Sequence, residues 1–133
     1  MLVKDVMLSL YKFPVVRENL FFKEALDVMI EKKLGIACIV DHDQHLKGIL
    51  TDGDIRRKLL KIQKPLSALF VDDCIEHAIL SPVAISPVSS LKDAVDIMEQ
   101  KQIWDLPVVD SNGKLVGLLH LHPVVQALLH ENR

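Results

Sequence analysis

The sequence carries no excess of positive charge: sixteen Lys and Arg stand against eighteen Asp and Glu, for a formal net charge of −2. Proteins that grip DNA or RNA by neutralising phosphates show a basic face, so general polyanion binding is argued against. Cysteine occurs only twice, at Cys38 and Cys74, far apart and in apolar surroundings. No Cys-x-x-Cys or Cys/His spacing marks a structural zinc, and two packed, reduced thiols are the expectation. No apolar run approaches the roughly 20 residues that cross a bilayer. The first residues do not join a basic stretch to an apolar one, as a secretory signal does. The expected compartment is therefore the cytoplasm, with neither membrane nor nucleic acid as partner. What the chain does have is apolar residue, half of the total, with 26% charged. That balance is globular, and 133 residues suit a single compact domain.

The main organisational fact is an internal repeat. Lys23–Leu60 lies over Lys92–Leu129 without a gap, and identities run along the whole stretch, among them Ala25/Ala94, Asp27/Asp96, Met29/Met98, Val40/Val109, Asp41/Asp110, Gly48/Gly117, Leu50/Leu119 and Leu60/Leu129. Upstream, with one residue of slippage, Pro14-Val15-Val16 answers Pro82-Val83-Ala84. Two units fill the chain, residues 1–64 and 65–133.

Each unit repeats one local grammar. Phe22, Ala25, Leu26, Met29 and Ile30 recur at helical spacing and predict a helix over about residues 21–33; Leu91, Ala94, Val95 and Met98 do the same in the second unit. Short β-branched runs follow, Ile36–Val40 and Leu106–Val109, and predict strands. Polar turns come next, the second with Asn112-Gly113, then strands over Leu46–Leu50 and Leu115–Leu119. A helix closes each unit, near Asp52–Ile62 and Leu121–His130. The fold class is α+β, built from βαββα repeats. A unit of about 60 residues is marginal alone. Packing two related sheets about a pseudo-twofold axis would cover both and leave clefts where ligands lodge.

The densest polar cluster is Gly48-Ile49-Leu50-Thr51-Asp52-Gly53-Asp54-Ile55-Arg56-Arg57, where a strand hands over to a helix and backbone N–H groups favour anions. Thr51 offers a hydroxyl, and Asp54 offers two acceptor oxygens suited to ribose hydroxyls. Gly53 permits close backbone approach, and Arg56 and Arg57 suit a phosphate. Thr51-x-x-Asp54 also fits a capping box, in which case both residues serve the helix and the arginines form a solvated face. The two readings are compatible.

This strand-turn-helix pattern, Gly48-x-x-Thr51-x-x-Asp54 inside a tandem βαββα repeat, resembles the cystathionine β-synthase (CBS) domain pair, or Bateman module. Phe13-Pro14-Val15-Val16-Arg17-Glu18-Asn19, the Gly48–Arg57 run, Lys32-Lys33-Leu34-Gly35-Ile36 and Leu119-His120-Leu121-His122 most resemble the C-terminal CBS pair of bacterial arabinose 5-phosphate isomerases. Some sugar-nucleotide transferases carry similar pairs. The resemblance implies a regulatory module that binds AMP, ADP, ATP, S-adenosylmethionine or another ribonucleotide between the repeats and controls a linked catalytic domain. It implies that Thr51 and Asp54 hold the ribose, with Asp52, Arg56 and Arg57 beside them. Pro14, Val15 and Arg17, with Gly35, Ile36 and Ala37, would wall in the base. In the isomerase subgroup the nucleotide-activated sugar acid CMP-Kdo is a candidate feedback ligand. It further implies a homodimer through the longer helices and no required cofactor. The sugar-isomerase domain is not in these residues, so no catalytic residue is assigned and the chain is expected not to be an enzyme.

The second unit departs from the pattern, with His120 where the first has Thr51 and Pro123 where it has Asp54. Proline accepts no ribose hydrogen bond, though it suits a first helical turn. One competent cleft, or two of different selectivity, is the expectation, with His120 and His122 free to meet an anionic ligand. Two imidazoles at i and i+2 on a strand would share a face, yet no third ligand stands at a recognisable spacing and no metal site is assigned. Trp104, the only tryptophan, matches Gly35 and reads as a wall, interface or buried aromatic. Two alternatives stand beside the sensor: a small enzyme using Asp52 or Asp54 with His120 or His122, and a structural dimerisation module without a ligand. Placement of those four residues on equivalent segments of a repeat favours binding over an acid–base pair.

Overall fold

The computed structural model describes residues 1–131. In chain order, a 3-10 turn at Val3–Asp5 precedes β1 (Leu8–Ser9), β2 (Val15–Arg17), α1 (Phe22–Lys32), β3 (Ile36–Val40), β4 (Leu46–Thr51) and α2 (Asp52–Lys61). Then come α3 (Leu66–Phe70), a 3-10 turn at Cys74–His77, β5 (Ile79–Leu80), α4 (Leu91–Lys101), β6 (Asp105–Val109), β7 (Leu115–His120) and α5 (Leu121–Glu131). The mixed helix-and-sheet class and both helix–hairpin–helix blocks stand as the repeat predicts. The short elements α3, β1 and β5 were not predicted, because two to five residues leave no periodicity to read.

The described chain forms two compact units, one of residues Tyr11–Pro82 and one of Met1–Leu10 together with the described residues from Val83. The sheet of the first has the order β2-β3-β4-β5, with β2 parallel to β3 and the other pairs antiparallel. The second has the order β1-β7-β6, all antiparallel, and its counterpart of β2 shrinks to one parallel bridge between Ile85 and Val108.

The lead segments explain why these units differ from the halves 1–64 and 65–133 of the repeat. The residues before each repeat's first block give an edge strand to the other repeat's sheet: β1 pairs with β7, and β5 pairs with β4. Glycine permits both docks. Gly48 sits opposite Leu80, and a Cβ there would stand 2.9 Å from the Ile79 carbonyl oxygen. Gly117 sits opposite Ser9, and a Cβ there would stand 2.9 Å from the Leu8 carbonyl oxygen.

Each unit buries its helices' apolar stripe on one face of its sheet. Ala25, Met29 and Leu50 belong to one core, and their counterparts Ala94, Met98 and Leu119 to the other. Both α1 and α4 end on a left-handed residue, Lys33 and Gln102, whose backbone N–H caps the last turn. The hairpin turns match as well: Asp41 Oδ1 accepts from the backbone of Asp43 and His45, and Asp110 Oδ1 from Asn112 and Lys114. The positive φ that such a turn needs falls on Gly113 in one and on Gln44 in the other.

Candidate functional site

The end of β4 and the start of α2 lie in register with the start of β3, because Thr51 pairs with Ile36 and the Asp52 N–H donates to the Gly35 carbonyl at 3.0 Å. Thr51 is the N-cap of α2: its Oγ1 accepts from the Asp54 backbone N–H at 3.2 Å. The same hydroxyl donates to Asp54 Oδ2 at 2.5 Å, and Arg57 donates from its guanidinium to Asp54 Oδ1 at 2.6 Å. The cap therefore forms, but the Asp54 carboxylate turns to the Thr51 hydroxyl and to Arg57. Burial by itself raises the Asp54 carboxyl, but the bonds from Thr51 and Arg57 outweigh it and hold the group below the ordinary carboxylate range. A half-buried, ionised acceptor stands beside a hydroxyl and an exposed guanidinium. That set can accept from sugar hydroxyls and donate to an anion. Gly53 leaves room for the guanidinium, since a Cβ there would stand 3.2 Å from an Arg57 nitrogen.

Around this triad the other predicted residues divide. Pro14 and Val15 lead into β2, the strand on the far side of β3 from β4; the Pro14 carbonyl accepts from Cys38 N–H, and Val15 pairs with Cys38. Arg17 and Arg56 are exposed. Ile36 is buried opposite Thr51, while the Ala37 methyl lies in the helix-side core. Gly35 and Asp52 line a separate open hollow of about 440 Å3 together with Leu26, Met29, Ile30, Lys33 and Leu34. Thr51, Asp54, Arg56 and Arg57 do not line it.

His120 and His122 belong to the other unit, and the strand geometry expected for them does not hold. β7 ends at His120 and α5 begins at Leu121, so His122 leaves the strand face. His120 Nδ1 instead lies 2.7 Å from Asp105 Oδ1, across the register pair that corresponds to Thr51 and Ile36. Burial pushes the Asp105 carboxyl above its ordinary value, against the opposing pull of His120. The sequence reading missed Asp105; the gapless overlay, which sets it on Ile36, held the signal. Also missed was a clip in the first unit, where Asp72 takes Lys64 at 2.8 Å and His77 at 2.9 Å while the His77 ring lies 4.8 Å from that of Phe22. Among the described residues, no group of three or more His, Cys, Asp or Glu could hold a metal ion, and no helix is long and apolar enough to cross a membrane.

Comparison with known proteins places this arrangement. The chain is 29% identical to the Arabidopsis thaliana CBS-pair protein CBSX2, solved in complex with AMP, with a TM-score of 0.86 over 99% of this chain and 98% of that one. An arabinose 5-phosphate isomerase of Yersinia pestis is 31% identical over 125 residues, 94% of this chain and 37% of the isomerase. A Helicobacter pylori protein is 36% identical over 126 residues, 93% of this chain and 36% of that protein. The chain thus spans little more than a third of these two curated relatives. The sequence model of the CBS domain matches twice, at residues 3–61 and 75–130, so the chain belongs to the CBS-domain family, as a tandem pair.

Proposed function

We propose that this CBS pair is a regulatory, non-catalytic sensor that binds an adenine nucleotide or another ribonucleotide at the Thr51–Asp54 turn of the first repeat. The observation that carries the reading is the ionised Asp54 carboxylate held between a hydroxyl and a guanidinium, in a fold whose relative CBSX2 is solved with AMP. The ribose hydroxyls would replace the Thr51 hydroxyl on Asp54, and Arg57 or Arg56 would turn to a phosphate. The likeness to arabinose 5-phosphate isomerases supports a parent protein in which the pair controls a sugar-phosphate isomerase domain, in the cytoplasm and as a homodimer, and makes CMP-Kdo a second candidate ligand. Control would be a population shift: a ligand that prefers one arrangement of the module biases the attached domain by that difference in affinity.

The test is thermal denaturation of this chain with AMP, ADP, ATP and CMP-Kdo in turn. A ligand at a hundredfold over its Kd adds about 2.7 kcal/mol to the folded state, and at least one of the four is expected to raise the melting point. Asp54→Ala should remove most of that rise and leave the unliganded melting point within a few degrees, because Thr51 still caps α2. A chain that no nucleotide shifts would return Thr51 and Asp54 to helix capping alone and leave the pair a structural module.

A further inference from the structure

The two repeats differ over more than the residue that would hold a sugar. The first carries a carboxylate and the guanidinium paired with it, Asp54 and Arg57; at the same positions the second carries Pro123 and Gln126. Acceptor and cation are present together in one repeat and absent together in the other. Where they are present, Arg57 reaches back one turn of α2 and donates to Asp54 Oδ1 at 2.6 Å, while Thr51 donates to Oδ2 at 2.5 Å. Both carboxylate oxygens are therefore engaged within the chain itself. A ribose diol that takes both as acceptors competes with a hydroxyl at one and with a guanidinium at the other. Thr51 gives way by turning its hydroxyl, whereas Arg57 gives way only by breaking a charge-assisted hydrogen bond. Nothing close by makes good that loss. The guanidinium lies over the first turn of α2, where a Cβ on Gly53 would stand 3.2 and 3.3 Å from its two terminal nitrogens, and a helix N-terminus favours anions over cations. Asp52, the other acid of that turn, has its carboxylate against Gly35, where a Cβ would stand 2.6 Å from Oδ2.

We propose that Arg57 is a specificity latch on Asp54: a ribose must unseat it, and a phosphate on the same ligand pairs it again. The turn then selects phosphorylated ribonucleotides and discriminates against ligands that bring a ribose without a phosphate, S-adenosylmethionine among them. The latch rests on the nucleotide reading above, which it narrows, and it makes the cation beside the sugar an opponent of the sugar and a partner of the phosphate. The pair is open enough for a ligand to break. The Arg57 side chain is 59% exposed and that of Asp54 24%, and ion pairs in contact with water are weak. The contact offered in exchange is stronger, since a guanidinium meets a phosphate with two parallel hydrogen bonds.

Calorimetric titration of the chain with AMP, adenosine, CMP and cytidine, each at low and at high salt, tests it. At least one nucleotide should bind more tightly than its own nucleoside. Arg57→Gln, which installs the residue of the second repeat, should move the two in opposite directions. The nucleoside should tighten about threefold as the latch is lost, and the nucleotide should weaken about tenfold or more as its phosphate loses the guanidinium. A residue that only shaped the turn would move both the same way, and circular dichroism checks that the variant folds. Salt supplies a second measure on the parent, with no substitution at all. Screening should weaken the nucleotide and tighten the nucleoside, and in Arg57→Gln the nucleoside should lose its salt dependence. A parent that binds none of the four overturns the nucleotide reading and the latch with it. A parent that binds, with nucleoside and nucleotide weakened alike by Arg57→Gln or with a nucleoside that neither the substitution nor salt tightens, overturns the latch alone.

Discussion

Thr51 and His120 stand at one position of two copies of the same fold, yet they keep different company. Thr51 caps a helix and donates its hydroxyl to Asp54; His120 faces Asp105 across a hairpin, and the helix after it carries Pro123 where Asp54 would be. Behind these strand ends the two cores are nearly interchangeable, with Ala25 and Ala94, Met29 and Met98, Leu50 and Leu119 buried alike. The difference teaches where a duplicated fold can diverge. A change on the helix-facing side of the sheet must be absorbed by close packing, whereas a change at the polar end of a strand has only its local hydrogen bonds to answer to.

If the cores are equivalent, equal damage should cost equally. Leu50→Ala and Leu119→Ala each remove a fully buried side chain and should each cost about 2–5 kcal/mol, measured by urea unfolding. A near-silent result at one of them would break the equivalence. A smaller effect sharpens the comparison at the edge strands. Gly48→Ala and Gly117→Ala place a methyl 2.9 Å from a backbone carbonyl oxygen of the docked strand, and backbone cannot step aside as a side chain can. Each should cost about 1–3 kcal/mol and speed amide hydrogen exchange in β5 or β1 respectively. Exchange that stays slow in both edge strands would show that the glycines do not gate the docking.

The fold was legible to the extent that it is local and repeated. The stripes Ala25–Met29 and Ala94–Met98 and the β-branched run Ile36–Val40 declare their elements, and the observed ends fall within a residue or two of the predicted ones. The exchange of edge strands was not legible. Leu8–Ser9 and Ile79–Leu80 are too short for a pattern, and their partners lie 30 residues or more away in sequence for β5 and over 100 for β1; only Gly48 and Gly117 hinted that something must pass close by. At the candidate site, the cap that Thr51 makes with the Asp54 N–H was readable because an N-cap calls for those residue types at that spacing. The tie of Arg57 to Asp54 and of Asp105 to His120 depends on rotamer and register, which composition does not encode. Trp104 was visible only as a mismatch with Gly35, and its exposure came from the structure.

The finest contrast is between two histidine–aspartate pairs, one in each unit. Hydrogen bonds from Lys64 and His77 hold the Asp72 carboxyl below its ordinary value, whereas burial pushes that of Asp105 above it despite His120. The two therefore link to pH with opposite sign. A carboxyl depressed in the folded state adds stability that is complete above the ordinary aspartate value, near pH 4, and is lost as pH falls through the depressed one. A carboxyl raised in the folded state takes up its proton before the unfolded chain does, so the fold gains as pH falls through the raised value toward the ordinary one. Asp72→Asn should thus be less stable than the parent at about pH 6, with a deficit that shrinks toward about pH 3. Asp105→Asn should lose ground to the parent over the same descent, because it lacks the proton uptake that favours the fold. Urea midpoints of parent and variants across that range measure both slopes. Slopes of the same sign would mean that the two pairs, for all their different partners, do the same work.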